Sequence, residues 1–408
     1  MRGPLSARKI ATFQRRTLTV VRSALSNVIL PIGNLVLSFL VTKFASVQLW
    51  GEFIEVLIFA QLGAHLVSWG NKEYLLREFS LRPAQISKIW QTSLISRGVL
   101  LAGLCAVVGL LGVPTQQTIL IVVLGCGLAL YQSYDVLILY EKDFVFSLFV
   151  ELFAVAALSL TIVHLRENLS LNLLVVLFAV TNLVKAAMCL RRFSHLTLQQ
   201  YMGTFDITYF SLASPFFFLG FSGMLQSRMD LYCVSYFLSP REVGQYQVFT
   251  SFMIYWQSIA ALILLPFVKN LYRLRDDTIL KISTRLFLFG VFLLVPLLVL
   301  IQAILSGLYH FHLSSSFFLF GGLFVLPTYL YLPMIYALYK VSLQSVVLTI
   351  NVLGAVMSFC LNWLLLPRLG MLGGVMAGAA VQWLMLIAYL TQRKALKGGY
   401  TDVVPELP

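Results

Sequence analysis

Residues 41–53 read VTKFASVQLWGEF, and residues 234–246 read VSYFLSPREVGQY. The two stretches lie 193 positions apart and align without a gap, matching Val41 with Val234, Phe44 with Phe237, Ser46 with Ser239 and Gly51 with Gly244. Phe53 and Tyr246 are similar. In both, an apolar run ends, a short polar turn follows, and a second apolar run begins. The same offset continues through the next polar connection, pairing Leu81 with Leu274, Arg82 with Arg275, Ile86 with Ile279, Lys88 with Lys281 and Ile89 with Ile282. Matching charges in polar loops are harder to obtain by chance than matching leucines in helices. Self-similarity at a fixed period sets an architecture more firmly than any local motif. The chain therefore reads as two tandem copies of one unit.

The rest of the sequence says what that unit is made of. Apolar runs of spanning length are centred near residues 30, 60, 102, 127, 154, 180, 222, 256, 294, 328, 354 and 380. A bilayer core about 30 Å thick needs roughly 20 apolar residues per helix, so 408 residues hold about twelve crossings with short connections. With 59% hydrophobic and 11% charged residues, the chain is far from the roughly one-quarter charged share of soluble domains. Lipid tolerates only helices or closed barrels, and the ten-residue alternation of barrel strands is missing. The expectation is an all-α polytopic membrane protein with twelve transmembrane helices in two six-helix lobes. An even number of helices per copy makes this a parallel repeat, with its cavity between the halves.

The net charge of +13 would suggest nucleic acid in a soluble protein, but the placement of the charges argues otherwise. About 24 of the 29 Lys and Arg residues fall on alternate connections, those on the side of the N terminus. Both termini are therefore expected in the cytoplasm. The expected organisation is a basic N-terminal segment (1–17), an N-lobe (18–192), an inter-lobe linker (193–206), a C-lobe (207–391) and a cytoplasmic tail (392–408). The basic stretch from Arg2 to Arg22 leads into a full span without a cleavage site, so the first helix itself is expected to act as targeting signal. Cys105, Cys126, Cys189, Cys233 and Cys360 lie in or beside apolar runs and never as a CxxC pair, which suits packing rather than disulfides or zinc. His310 and His312 form an HxH at an outer turn without a nearby carboxylate, where an aromatic interfacial belt explains them better than a metal.

The repeated segment, FLSPREVGQYQVF running on into the next span, resembles the Wzx-type lipid-linked polysaccharide flippases of the multidrug/oligosaccharidyl-lipid/polysaccharide (MOP) exporter superfamily. The stretch NVLGAVMSFCLNWLLLPRLGMLGGVMAGAAVQW is similar to that family's last two helices, with Asn351, Asn362, Pro367 and Gly370 carrying the match. GNKEYLLREFS, with Gly70 and Arg77, resembles its Gly-to-Arg stretch after the second helix. The resemblance implies a MATE-like fold. It also implies transfer of an undecaprenyl-diphosphate-linked oligosaccharide (O-antigen, capsule or exopolysaccharide) from the cytoplasmic to the periplasmic leaflet of a bacterial inner membrane. Membrane lipids and a polysaccharide polymerase or chain-length machinery would be its partners. It implies no cofactor beyond an H+ or Na+ gradient, and no catalytic residues.

Moving a sugar head group across hydrocarbon needs polar groups within the spans. Ionisable residues there are costly and mark candidate sites. Glu55, His65, Asp135, Glu151, Arg228 and Asp230 are such residues. Arg228 lies about ten residues, or roughly 15 Å, from the outer end of the seventh span. A guanidinium matches phosphate oxygens with several fixed donors, so Arg228 suits a diphosphate. Asp230, two positions on, projects away from it, so each needs a partner on another helix. In the repeat register these charges fall at Leu35 and Leu37, and the first copy lacks both. Arg228, Asp230, Asn34 and His65 are the candidate substrate-binding residues. Asp135, Glu151 and Glu55 are candidates for ion coupling, with pairing of the inner-half carboxylates to Lys142 or Lys185 as the plainer reading. Lys72, Arg77, Arg82, Lys88 and Arg97 are assigned to one cytoplasmic connection, and Lys269, Arg273, Arg275, Lys281 and Arg285 to its repeat mate. Within these sets Lys72, Arg77, Lys269 and Arg273 are the candidates for recruiting an anionic substrate. No metal site is expected.

A drug/cation antiporter of the same superfamily is the nearest alternative, favoured by cationic substrates but not by a central Arg. A membrane glycan polymerase or ligase would need a sizeable outer loop with catalytic residues, and no outer loop here exceeds roughly a dozen residues. Nothing resembles a P-loop or a nucleophile elbow.

Overall fold

In a chain this apolar, backbone N–H and C=O groups must be satisfied within each segment, and helices do so without help from water. The computed structural model describes residues 31–110, 115–197, 203–264 and 274–399, together with residues 29, 267 and 271. Among the described residues every regular element is a helix. Eleven helices are long and apolar enough to cross a membrane, and a shorter apolar one, α1 (Pro31–Phe44), precedes them. The chain is an integral membrane protein. Its outward side chains fit that: Leu160 is 72% exposed and Phe292 74%, a solvation that water would oppose and acyl chains accept.

The chain divides into two compact units, Met1–Phe221 and Ser222–Pro408. In the first, α2 (Val47–Ser68), α3 (Asn71–Leu81), α4 (Ile86–Leu110), α5 (Thr115–Gln132), α6 (Asp135–Glu141), α7 (Phe144–His164), α8 (Leu171–Arg192) and the short α9 (Ser194–Thr197) follow α1. The long α10 (Thr208–Phe237) carries the chain on into the second unit. That unit holds α11 (Pro240–Leu264), α12 (Asp276–Gly307), α13 (Ser315–Lys340), α14 (Gln344–Leu369) and α15 (Met371–Gly399).

The two units share part of their internal packing plan, although α12 packs closely on α13 where α4 barely touches α5. In the first, α5 packs against both α2 and α8, and α7 against α8. In the second, α13 packs against both α11 and α15, and α14 against α15. The matched serines open equivalent helices. Ser46 Oγ accepts the Leu49 N–H at 3.0 Å at the head of α2. At the head of α11, Glu242 Oε2 accepts from the Ser239 N–H at 3.0 Å and from its hydroxyl at 2.7 Å, one half of a capping box. The offset of 193 holds only for the front of each unit, at Val47 against Pro240 and Pro83 against Asp276. Behind it, Thr115, Phe144 and Leu171 correspond to Ser315, Gln344 and Met371, an offset of 200. Four of the seven extra residues lie in α12, since Asp276–Gly307 has 32 positions against the 28 of Pro83–Leu110, and three lie in the connection that follows, 308–314 against 111–114.

Two breaks in the first unit set up its interior. α2 ends where Trp69 and Gly70 both take left-handed backbone, φ 43° and 71°. A Cβ on Gly70 would lie 2.7 Å from the Ala213 carbonyl oxygen and 2.8 Å from the Phe217 nitrogen, so the position needs glycine for its φ and for its space. The Trp69 indole stacks on Phe217 at 4.2 Å and donates to the Phe210 carbonyl at 2.9 Å, fixing the bend. The second break separates α5 from α6 at Ser133 and Tyr134. Its freed Ser133 carbonyl accepts the Trp90 indole N–H at 3.2 Å, which satisfies a backbone group that lipid could not.

Candidate functional site

The apolar stripes of α5, α7 and α8 are interrupted by polar residues at helical spacing. On α8 these are Thr181, Asn182 and Lys185; on α7, Ser147 and Glu151; across the α5–α6 break, Tyr131, Gln132 and Asp135. Positions three and four apart share a helix face, and here the faces converge. They enclose a cavity of about 370 Å³ in the first unit, to which α1 adds Asn34, α2 adds Gln61 and α3 adds Lys72. Leu128, Leu158 and Phe178 supply apolar wall.

A buried ion pair organises one side of the cavity. Lys185 Nζ lies 2.8 Å from Glu151 Oε1 and 2.9 Å from Oε2, with both residues 6% exposed. Tyr131 Oη donates to Glu151 Oε1 at 2.6 Å, and its ring centroid is 3.8 Å from Lys185 Nζ. The carboxylate is thus shared between an ammonium and a phenol, and the ammonium rests on a π face as well. Asn182 donates to the Phe178 carbonyl at 2.9 Å and Thr181 to the Leu177 carbonyl at 2.7 Å. Their oxygen lone pairs remain as acceptors. Lys72 and Lys185 against Asp135 and Glu151 leave the lining formally neutral.

Residues given three separate roles by the sequence thus meet in one place. Asn34, Asp135, Glu151 and Lys72 all line this cavity. Glu151 takes Lys185 as its partner, the plainer of the two readings. Glu55 and His65 lie on α2 away from its lining. The His65 ring is about 6 Å from the Phe217 and Phe221 ring centroids. Arg77 is exposed on α3, and Lys269 and Arg273 lie outside the described residues.

The second unit has a smaller polar pocket of about 120 Å³, lined by Asp230, Gln226, Gln257, Tyr331, Ser358 and Gln382 among others. Asp230 Oδ2 accepts from Tyr246 Oη of α11 at 2.6 Å, so the interhelical partner of Asp230 is a phenol rather than a cation. Tyr331 Oη donates to Gln382 Oε1 at 2.7 Å. Asn362, fully buried on α14, donates to the Ser358 carbonyl at 2.8 Å while its Oδ1 accepts nothing. Arg228, part-buried on α10, has no carboxylate within ion-pair distance among the described residues.

Sequence reasoning missed several polar residues. Tyr131, Gln132, Gln61 and Asn182 carry no charge and escape a search for ionisable residues, although their 3–4 spacing was there to read. Arg97 corrects an expectation. The sequence assigned it to the connection after the second span, but α4 runs through it and leaves it 2% exposed. Its Nε bonds the Ser93 carbonyl and hydroxyl at 3.3 and 3.2 Å, and its Nη2 has no hydrogen-bond partner. The apolar run of α4 begins before that Arg, so its charge hid the true edge of the span.

No protein-family model and no curated protein matches the chain. Solved structures do. A lipid II flippase, MurJ, in an inward closed conformation superposes with a TM-score of 0.64 at 13% identity, over 95% of this chain and 87% of that one. An inward-facing multidrug resistance MATE family transporter of the MOP superfamily gives 0.67 at 10% identity, over 90% and 96%. A point mutant of the Vibrio cholerae MATE transporter VcmN gives 0.59 at 13%, over 95% and 97%. At these identities the likeness establishes the fold, which is that of the MATE/MOP transporters.

Proposed function

We propose that the protein is a flippase that carries a polyprenyl-diphosphate-linked oligosaccharide from the cytoplasmic to the periplasmic leaflet of a bacterial inner membrane. Both termini are cytoplasmic in this reading, the mechanism is alternating access, and direction comes from an H+ or Na+ gradient or from consumption of the product by a polymerase. The observation that carries the proposal is Arg228. It lies nine residues, or about 14 Å, before the end of α10, too deep to reach the interface easily. A cation held there without an ion pair among the described residues is costly in hydrocarbon unless an anion visits it. Its planar fork of donors fits a diphosphate. The antiporter alternative asks for open carboxylates, yet Glu151 is taken by Lys185 and Asp230 holds a phenol, which leaves Asp135 as the carboxylate of the cavity without an ion pair among the described residues. The likeness in fold to a lipid II flippase supports the proposal, while the likeness to MATE transporters keeps the antiporter as its competitor.

The test is reconstitution into vesicles with a fluorescent polyprenyl diphosphate. Arg228→Ala should slow its transfer about 30-fold or more, the cost of removing one member of a buried charge pair, while Arg228→Lys keeps part of it. Wild-type transfer rates in Arg228→Ala at equal protein level, or transport of a cationic dye in place of the lipid, would overturn the reading.

A further inference from the structure

The cavity of the first unit is poorly suited to an ion. A cation at Glu151 would compete with Lys185, whose ammonium already lies within 2.9 Å of both its oxygens, and one at Asp135 would meet the charge of Lys72 on the same lining. An anion would have to pull Lys185 off that carboxylate and off the Tyr131 ring. With two basic and two acidic side chains the lining has no net charge to attract either. What it has in excess is neutral hydrogen-bonding capacity. Asn34, Gln61, Gln132 and Asn182 are amides, each with a donor and an acceptor side by side. Leu128, Leu158 and Phe178 add apolar surface to the same lining.

We propose that this cavity is a carbohydrate subsite that takes one sugar ring of the transported head group, a claim that rests on the lipid-linked glycan reading above. Vicinal hydroxyls of a pyranose present donor and acceptor together, which is what a primary amide matches, while its C–H face needs an apolar wall. A volume of about 370 Å³ lies in the usual range of small-molecule sites, about 300–1,000 Å³. It equals about twelve waters at liquid density, room for one ring and a few bridging waters. The Glu151–Lys185 pair ties α8, which presents Asn182, to α7.

Two measurements on the full chain decide the matter. In detergent, glucose, galactose, N-acetylglucosamine and rhamnose are each added during thermal unfolding, with sodium chloride and inorganic phosphate as controls. At least one sugar should raise the midpoint of the wild type, neither control should, and the rise should vanish in Asn182→Leu and in Gln132→Leu. These two variants sit on different helices, and the ion pair is untouched in both. In vesicles, the same variants should slow a glycosylated polyprenyl diphosphate about five- to tenfold, as expected for one or two neutral hydrogen bonds, and leave the bare diphosphate unaffected. Absence of protection by every sugar, protection that survives both substitutions, or equal slowing of both lipids overturns the subsite. If the wild type moves neither lipid, the flippase reading fails and the detergent measurement still judges the subsite.

Discussion

Lys185 Nζ sits within 2.9 Å of both carboxylate oxygens of Glu151, joining α8 to α7 inside the first unit. Removing one member leaves the other charged and buried, which in proteins costs about 3–5 kcal/mol, whereas replacing both by apolar residues of similar volume is often neutral or better. Lys185→Met alone and Glu151→Leu alone should therefore lower the thermal midpoint in detergent sharply, and the double variant should recover most of it. If the three variants unfold at additive temperatures, the pair has no special energetic role.

The bend after α2 gives a second, paired expectation. Gly70 combines φ 71° with a would-be Cβ contact of 2.7 Å to backbone, while Gly63, within α2, has open space around its Cβ position. Left-handed backbone costs a non-glycine residue about 1–2 kcal/mol before any clash. Gly70→Ala should thus cut the yield of folded protein and lower the midpoint. Gly63→Ala should raise the midpoint slightly, by the roughly 0.4–1 kcal/mol that restricting the unfolded chain provides. Equal effects of the two substitutions would mean that the bend is not under this constraint.

Gly70 also shows how much of the fold was legible. The repeat, the helix count and the two-lobe plan follow from apolar run lengths and from polar turns such as Ser46 and Ser239, because lipid leaves the backbone few other options. The change of offset from 193 to 200 was not legible. Extra residues within an apolar helix such as α12 leave no polar mark, and only the polar connections could be aligned with certainty. The site was legible in its charged members, Asp135 and Glu151, but not in its shape. The α5–α6 break depends on a distant indole, Trp90, and the neutral residues Gln61, Gln132 and Asn182 gain meaning only once their helices are placed together.

Arg97 supports a prediction of the opposite sign. It is a buried guanidinium with no acidic partner among the described residues and one unsatisfied nitrogen, held mainly by Ser93, which itself donates to Asn71 at 3.1 Å. Such a charge is a net liability to the folded state. Arg97→Met keeps the length and the packing and should raise the thermal midpoint. Transport measured on the same variant separates the two uses of the residue: a more stable protein with impaired transfer marks Arg97 as kept for function, whereas a lowered midpoint would show that its bonds to Ser93 outweigh the desolvation of its charge.

The last prediction concerns how the backbone of α15 controls Asp230. A Cβ on Gly374 would lie 2.9 Å from Tyr246 Cε2 and 3.2 Å from both Cζ and Oη. The Tyr246 ring is 1% exposed, and its hydroxyl makes the 2.6 Å bond to Asp230. Gly374→Ala should therefore displace the ring and lengthen that bond, although it touches Asp230 nowhere. Tyr246→Phe removes the bond alone and should cost about 1.5–3 kcal/mol, the worth of a hydrogen bond to a charged group. Tyr246→Leu, smaller in the direction of α15, should relieve the clash. Gly374→Ala made on that background should cost much less than on the wild type, a coupling that a double-mutant cycle measures directly. Additive costs would sever the steric link. Coupled costs would identify Gly374 as the residue whose lack of a side chain places the Tyr246 hydroxyl on Asp230.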